Sequence, residues 1–258
     1  MKQAASIDLN ADVGEGCGSD AALVPLVSSV NIACGAHAGD RDTMRAAVAL
    51  ALRHGAAIGA HPGFADREHF GRRELPILPA AAAALALGQA RMLEEIAGEF
   101  GARVGHVKLH GALYNMAARD RGLAEAVAGA LAQDKRPSGE PWILVALAGS
   151  VLATVAMERG LRVVGEAFAD RTYMRDGSLT PRSEAGALIG DADAAASQAV
   201  RIATAGTALA ADGSEVAVRA ETICLHGDGP SAVEFAQRIR RGLAAAGVAV
   251  ARPGARLS

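Results

Sequence analysis

Aromatic residues are scarce: two tyrosines, five phenylalanines and one tryptophan make up 3% of 258 residues. A core without them must be packed from aliphatic side chains and alanine, and at 51% hydrophobic residues the chain can still bury a sizeable interior. Cysteine is equally sparse. Cys17, Cys34 and Cys224 are an odd number at no metal-ligand spacing, which excludes a disulfide framework and leaves reduced thiols. Neither sign of charge dominates: the net charge is −2 and no dense basic block exists, which excludes a nucleic-acid surface. No apolar run is long and charge-free enough to cross a bilayer, and MKQAASIDLN lacks the apolar core of a signal peptide. A cytoplasmic protein with no membrane partner is therefore expected. No proline- or serine-rich linker interrupts residues 1–258, which read as a single domain. Also missing are a GxxxxGK[ST] phosphate loop, a GxGxxG following a strand, and an HExxH helix. Lysine itself occurs only as Lys2, Lys108 and Lys135, so a lysine inside an apolar strand stands out.

That lysine lies in Gly105 to Asn115, GHVKLHGALYN, where Val107 and Leu109 alternate with His106, Lys108 and His110. The period is that of a β-strand with one apolar face and one ionisable face. With helical sequence covering the apolar side, the His/Lys/His side must look into a polar interior or a ligand cavity.

Strand and helix signals alternate along the rest of the chain. Strands are expected at Ser6 to Asn10, Val30 to Ala33, Ala56 to Ala60, around Lys108, at Trp142 to Ala146, Arg162 to Ala167 and Thr222 to His226, with a short extra strand at Glu215 to Arg219. Helices are expected from Ser19 or Asp20 to about Ser28, from Asp40 to Gly55, Pro79 to Phe100, Leu123 to Gln133, Ser150 to Arg159, Ala192 to about Leu209 and Ala232 to Ala246. About seven repeats of this alternation imply a parallel sheet with helices outside. His37, His61, His110, Asp170 and His226 all fall at or just beyond the carboxyl ends of strands, where parallel α/β folds place their sites. Their spread over five strands favours a closed, TIM-like barrel over an open sheet.

Histidine transfers protons near neutral pH and ligates metals, so the cluster His37, His61, His106, His110 and His226 suits either use. Asp8, Asn10 and Asp12 share one face if the first strand persists, and could orient imidazoles, ligate a cation or supply a general base. Lys108 could bind an anion or form an ion pair with Asp8 or Glu166. Arg67, Arg72 and Arg73 after the third strand, and Arg171 after the sixth, could clamp an acidic substrate. Glu166 and Asp170 share that sixth segment.

Six ordered segments, DLNADVGEG, SSVNIACGAHAGD, GAHPGFADREHFGRR, HVKLHGALYN, EAFADRTYMRDGSL and CLHGD, resemble the LamB/YcsF family, the A subunits of prokaryotic 5-oxoprolinase. Leu109 stands where that family commonly has proline, Ala36 where it commonly has an aromatic residue, and the loop after Gly18 is shorter than in many members. The resemblance implies a seven-stranded TIM-like barrel of the glycoside hydrolase/deacetylase kind. It also implies ATP-dependent opening of 5-oxoproline to glutamate together with separate B and C subunits, ATP being the cofactor. Their shared placement at strand ends makes Asp12, His61, Lys108 and His110 the expected catalytic residues, with Asn10, His37, Arg72, Glu166, Asp170, Arg171 and His226 around the substrate. Two other readings stand beside it. One is a metal-dependent amidohydrolase or deacetylase, with Asp12 and two of His37, His61 and His110 holding a divalent cation. The other is a non-catalytic subunit that captures an acidic small molecule.

Overall fold

A computed structural model describes residues 6–225 and 231–253. In chain order the strands are β1 (Ser6–Val13), β2 (Ser29–Ala33), β3 (Ala57–His61), β4 (His106–Lys108), β5 (Ile143–Leu147), β6 (Arg162–Phe168), β7 (Thr207–Leu209), β8 (Glu215–Ala217), β9 (Thr222–Leu225) and β10 (Ala249–Val250). β1 to β6 follow one another as parallel neighbours, β6 pairs with β9, and β9 pairs back onto β1, closing a seven-stranded parallel barrel. β10 adds to the start of β1 outside this closure, and β7 and β8 form a separate antiparallel hairpin. The expected TIM-like architecture is present.

Among the described residues, eight α-helices accompany the strands: α1 (Asp20–Leu23), α2 (Arg41–His54), α3 (Pro79–Gly98), α4 (Gly111–Arg119), α5 (Arg121–Gln133), α6 (Val151–Glu158), α7 (Ala192–Ala205) and α8 (Ala232–Ala245). Their limits follow local chemistry. The Asp40 side chain accepts from the Thr43 amide at 2.8 Å and starts α2, and Gly55, at φ 67°, ends it. α3 begins at Pro79, whose missing N–H costs nothing in a first turn, and buries Ala82, Ala86, Ala90, Leu93 and Ile96. Alanine on that face lets helices lie close to the barrel, which is how a chain poor in aromatics fills its core.

Four local expectations change. The first helix ends at Leu23, and Pro25 sits in a 3-10 turn (Val24–Leu26) because its ring cannot continue an α-helix. α7 stops at Ala205, since Gly206 takes a left-handed φ of 69°, and Thr207–Leu209 turn into the hairpin. β4 is only three residues long, and Gly111–Arg119 form a helix directly behind His110. β1 runs three residues beyond Asn10, which brings Asp8, Asn10 and Asp12 onto one face.

That face points into the barrel. Both sides of β1 are buried: Leu9, Ala11 and Val13 join the apolar core, while Asp8, Asn10 and Asp12 bond across the interior. The register sets Asp12 beside Asn31, Asn31 beside Gly59, and Gly59 beside His106. Gly59 is required there, because a Cβ would lie 2.0 Å from His106 Nε2. No helix among the described residues is long and apolar enough to cross a membrane.

Candidate active site

The alternation around Lys108 survives folding. Val107 and Leu109 are buried against the apolar core, and Lys108 reaches through the interior to Asp12 Oδ1 and Glu166 Oε1, both at 2.9 Å. Of the two carboxylates expected to compete for it, Glu166 is a partner. Asp8 instead accepts hydrogen bonds from Ser28, Ser29 and Thr222. Burial alone would pull the Lys108 ammonium down, but Asp12 and Glu166 outweigh it and hold its pKa well above 10.5. Cys224 Sγ lies 3.0 Å from Nζ, and burial pushes that thiol up, so it stays protonated.

Asn31 donates to Asn10 Oδ1 and Asp12 Oδ1, each at 2.8 Å, and accepts from His106 Nε2 at 2.9 Å. Asn10 donates onward to Glu166 and Thr222, and Tyr114 Oη donates to Glu166 Oε2 at 2.7 Å. These bonds fix Asp12 and Lys108 relative to each other, which suits groups that must meet a substrate without reorganising.

Above this network lie three histidines. His61 Nε2 is 3.3 Å from Asp12 Oδ2 and 2.9 Å from His110 Nδ1. His37 stacks on His110 with ring centroids 3.7 Å apart, and its Nε2 lies 3.4 Å from Glu15 Oε1. Burial, reinforced by neighbouring His61, lowers His37 to about 3 and carries His110 well below its usual 6.5, so both rings are neutral near pH 7. Burial and Lys108 bring His106 down to about 4.

Asp12, His61, Arg72, Lys108, His110, Tyr114 and Arg171 line a cavity of about 30 Å³, room for roughly one water. Outside it is a groove of about 830 Å³, and the two share Arg72, Gly111, Asn115, Arg171, Leu179 and Arg182 on their walls. The groove is also bordered by Gly149, Ser150 and the 176–184 loop.

The four residues expected to be catalytic therefore share one cavity, and Arg72 and Arg171 stand at its junction with the groove. Asn10, His37 and Glu166 line neither space: Asn10 and Glu166 are taken up by the network around Lys108, and the His37 ring stacks on His110. Asp170 is partly buried beside Arg171 and is also off both walls. His226 lies outside the described residues. Arg171 Nη2 donates to Thr180 O at 2.6 Å and Nε to Ala187 O at 3.2 Å. Burial, with Arg182 and Arg72 nearby, lowers it to about 10, still a cation at neutral pH. The other loop arginines have structural work: Arg67 donates to the Gly35 and Gly39 carbonyls, and Arg73 faces Asp66.

Sequence reasoning missed Glu15, Asn31, Tyr114 and Arg182. Asn31 had a signal, as a polar residue in the apolar run VNIA, and Tyr114 is one of only two tyrosines. Glu15 sits between Gly14 and Gly16, at φ 71° and 81°, in a loop with no periodicity to reveal it. Glu15, His61 and His110 each present one ligand atom within 4.8 Å of the others, the one such group among the described residues. The metal reading pairs Asp12 with two histidines; the structure puts Glu15 in that group, while Asp12 is held by Lys108 and Asn31.

The fold is a closed, TIM-like parallel barrel in which carboxylates, histidines and a lysine converge on a cavity beyond the strand ends. The chain belongs to the LamB/YcsF family, whose model matches residues 7–257. It is similar to a lactam utilization protein from Thermus thermophilus, at 45% identity over 95% of this chain and 99% of that one, with a TM-score of 0.86. A T48 deacetylase solved with substrate superposes at a TM-score of 0.51 over 96% of this chain and 87% of that one; at 13% identity it shares the fold alone.

Proposed function

We propose that this chain is the A subunit of a 5-oxoprolinase, opening 5-oxoproline to L-glutamate with ATP and with separate B and C subunits. The observation that carries this reading is the water-sized cavity walled by Asp12, His61 and Lys108 at the end of a larger groove that carries Arg72 and Arg171. Family membership and the similarity to a protein of lactam utilization support a cyclic amide as the substrate.

A lactam carbonyl is a poor electrophile. Transfer of a phosphoryl group from ATP to its oxygen makes the carbon open to water. Addition of water followed by cleavage of the C–N bond gives an acyl phosphate, with the ring nitrogen leaving as the amine, and a second water releases glutamate and phosphate. The chain lacks a phosphate-loop motif, which agrees with phosphoryl transfer resting at least partly on the partner subunits.

The residues of this chain supply orientation and proton handling. Asp12, with His61 and His110 beside it, orients the attacking water and takes its proton. Lys108 pairs with Asp12 and stabilises negative charge developing on the substrate oxygen. Arg72 or Arg171 pairs with the substrate carboxylate. Asp12→Asn should cut ATP-dependent glutamate release in the reconstituted mixture by about 10²–10⁴-fold, the usual worth of a positioned base, with unchanged circular dichroism. Retained activity would remove Asp12 from this role.

A further inference from the structure

The hydrogen bonds behind His61 and His110 fix which ring nitrogens carry protons. His61 Nδ1 lies 2.8 Å from the Lys108 carbonyl oxygen, and His110 Nε2 lies 2.8 Å from the Phe70 carbonyl oxygen. A carbonyl oxygen can only accept, so each of these nitrogens is an N–H donor. The other ring nitrogens, His61 Nε2 and His110 Nδ1, are the ones turned towards the site. They face each other at 2.9 Å.

Glu15 Oε1 lies 3.5 Å from His110 Nδ1, and Asp12 Oδ2 lies 3.3 Å from His61 Nε2. Ring nitrogens held from behind by carbonyl acceptors are the usual arrangement of metal-ligating histidines.

We infer that His61 Nε2, His110 Nδ1 and Glu15 Oε1 form a binding site for one divalent transition-metal cation. Two imidazoles and a carboxylate select the zinc, cobalt or manganese class over calcium or magnesium, which prefer all-oxygen sites. Tetrahedral ligands about 2.1 Å from such an ion stand roughly 3.4 Å apart, and the separations here need only small side-chain adjustments. His61 and His110 also line the water-sized cavity, so a fourth position would open towards it. When bound, the ion would polarise a water or a carbonyl oxygen there. The inference does not rest on 5-oxoproline being the substrate.

The test uses the full chain alone, stripped with a chelator, dialysed and titrated with Zn²⁺ by calorimetry and with Co²⁺ by visible absorption. One equivalent per chain, with ligand-field bands of a nitrogen-containing site, is expected. His61→Asn and His110→Asn should abolish both signals, and Glu15→Gln should weaken binding at least about tenfold, the lower end of what loss of a metal-supporting group costs. Circular dichroism checks folding, and Glu15→Gln carries the test if a histidine variant fails to fold. No saturable binding by the wild type, or binding that the folded variants leave unchanged, would overturn the site. Neither substrate nor ATP is present, so failure here and failure of the ring-opening reading are separate results.

Discussion

Lys108 is the side chain on which the interior charges depend. Replacing it with methionine keeps most of its volume but leaves Asp12 and Glu166 buried without their ammonium. Loss of one partner from a buried ion pair costs about 3–5 kcal/mol, so Lys108→Met should lower urea-unfolding stability by that amount. Adding Glu166→Gln should restore part of it, because one orphaned charge disappears; no recovery would place the cost in packing. Asp8 makes the opposite kind of contribution. Burial raises its carboxyl above the ordinary 3.8, against the lowering effect of three hydroxyl donors. A raised folded-state pKa means that its stabilising contribution is full below 3.8 and is lost as pH rises through the folded value. Asp8→Asn removes that dependence, so unfolding curves should favour the wild type over the variant more at about pH 4 than at about pH 7. A difference that is flat or reversed with pH would contradict the assignment. At this scale the sequence was informative where periodicity applied. Asp12, Lys108 and His110 were legible because alternation put them on an ionisable face. Glu15 was not, because its position depends on two left-handed glycines and on where two other loops return.

Strand register turns those side chains into a site. Gly59 shows how closely: it is the neighbour of His106 in β4, and the missing side chain is the space that the imidazole fills. Gly59→Ala should therefore cost about 1–3 kcal/mol by overpacking and should weaken the bond between His106 and Asn31. A variant that melts at the same temperature as the wild type would show that the ring moves freely. Glycine also decides the elements that the sequence concealed. Helical periodicity runs through TAGTAL, but Gly206 ends α7 and the next residues become a strand. At the other end of the site, Gly111 takes a positive φ of 55° in the first turn of α4, and its Cβ would lie 2.6 Å from the Gly71 carbonyl oxygen. The run GHVKLHGALYN has one chemical rhythm but contains a strand, a cap and a helix. Side-chain pattern shows faces; it does not show where a glycine changes the backbone.

The whole barrel was legible because repeated strand and helix signals, with polar residues gathered at strand ends, admit few arrangements. The division of that mouth into a water-sized cavity and an outer groove was not, since it depends on the loop at 176–184 lying across from Arg72 and Arg119. In the reaction proposed above, that division lets water reach Asp12 while an acidic cyclic amide enters past the arginines. The most direct measurement is glutamate release from 5-oxoproline, with and without ATP, by this chain alone and mixed with candidate B and C subunits. The account predicts release that requires ATP and the complete mixture. No release from a mixture whose proteins are folded and associated would contradict it.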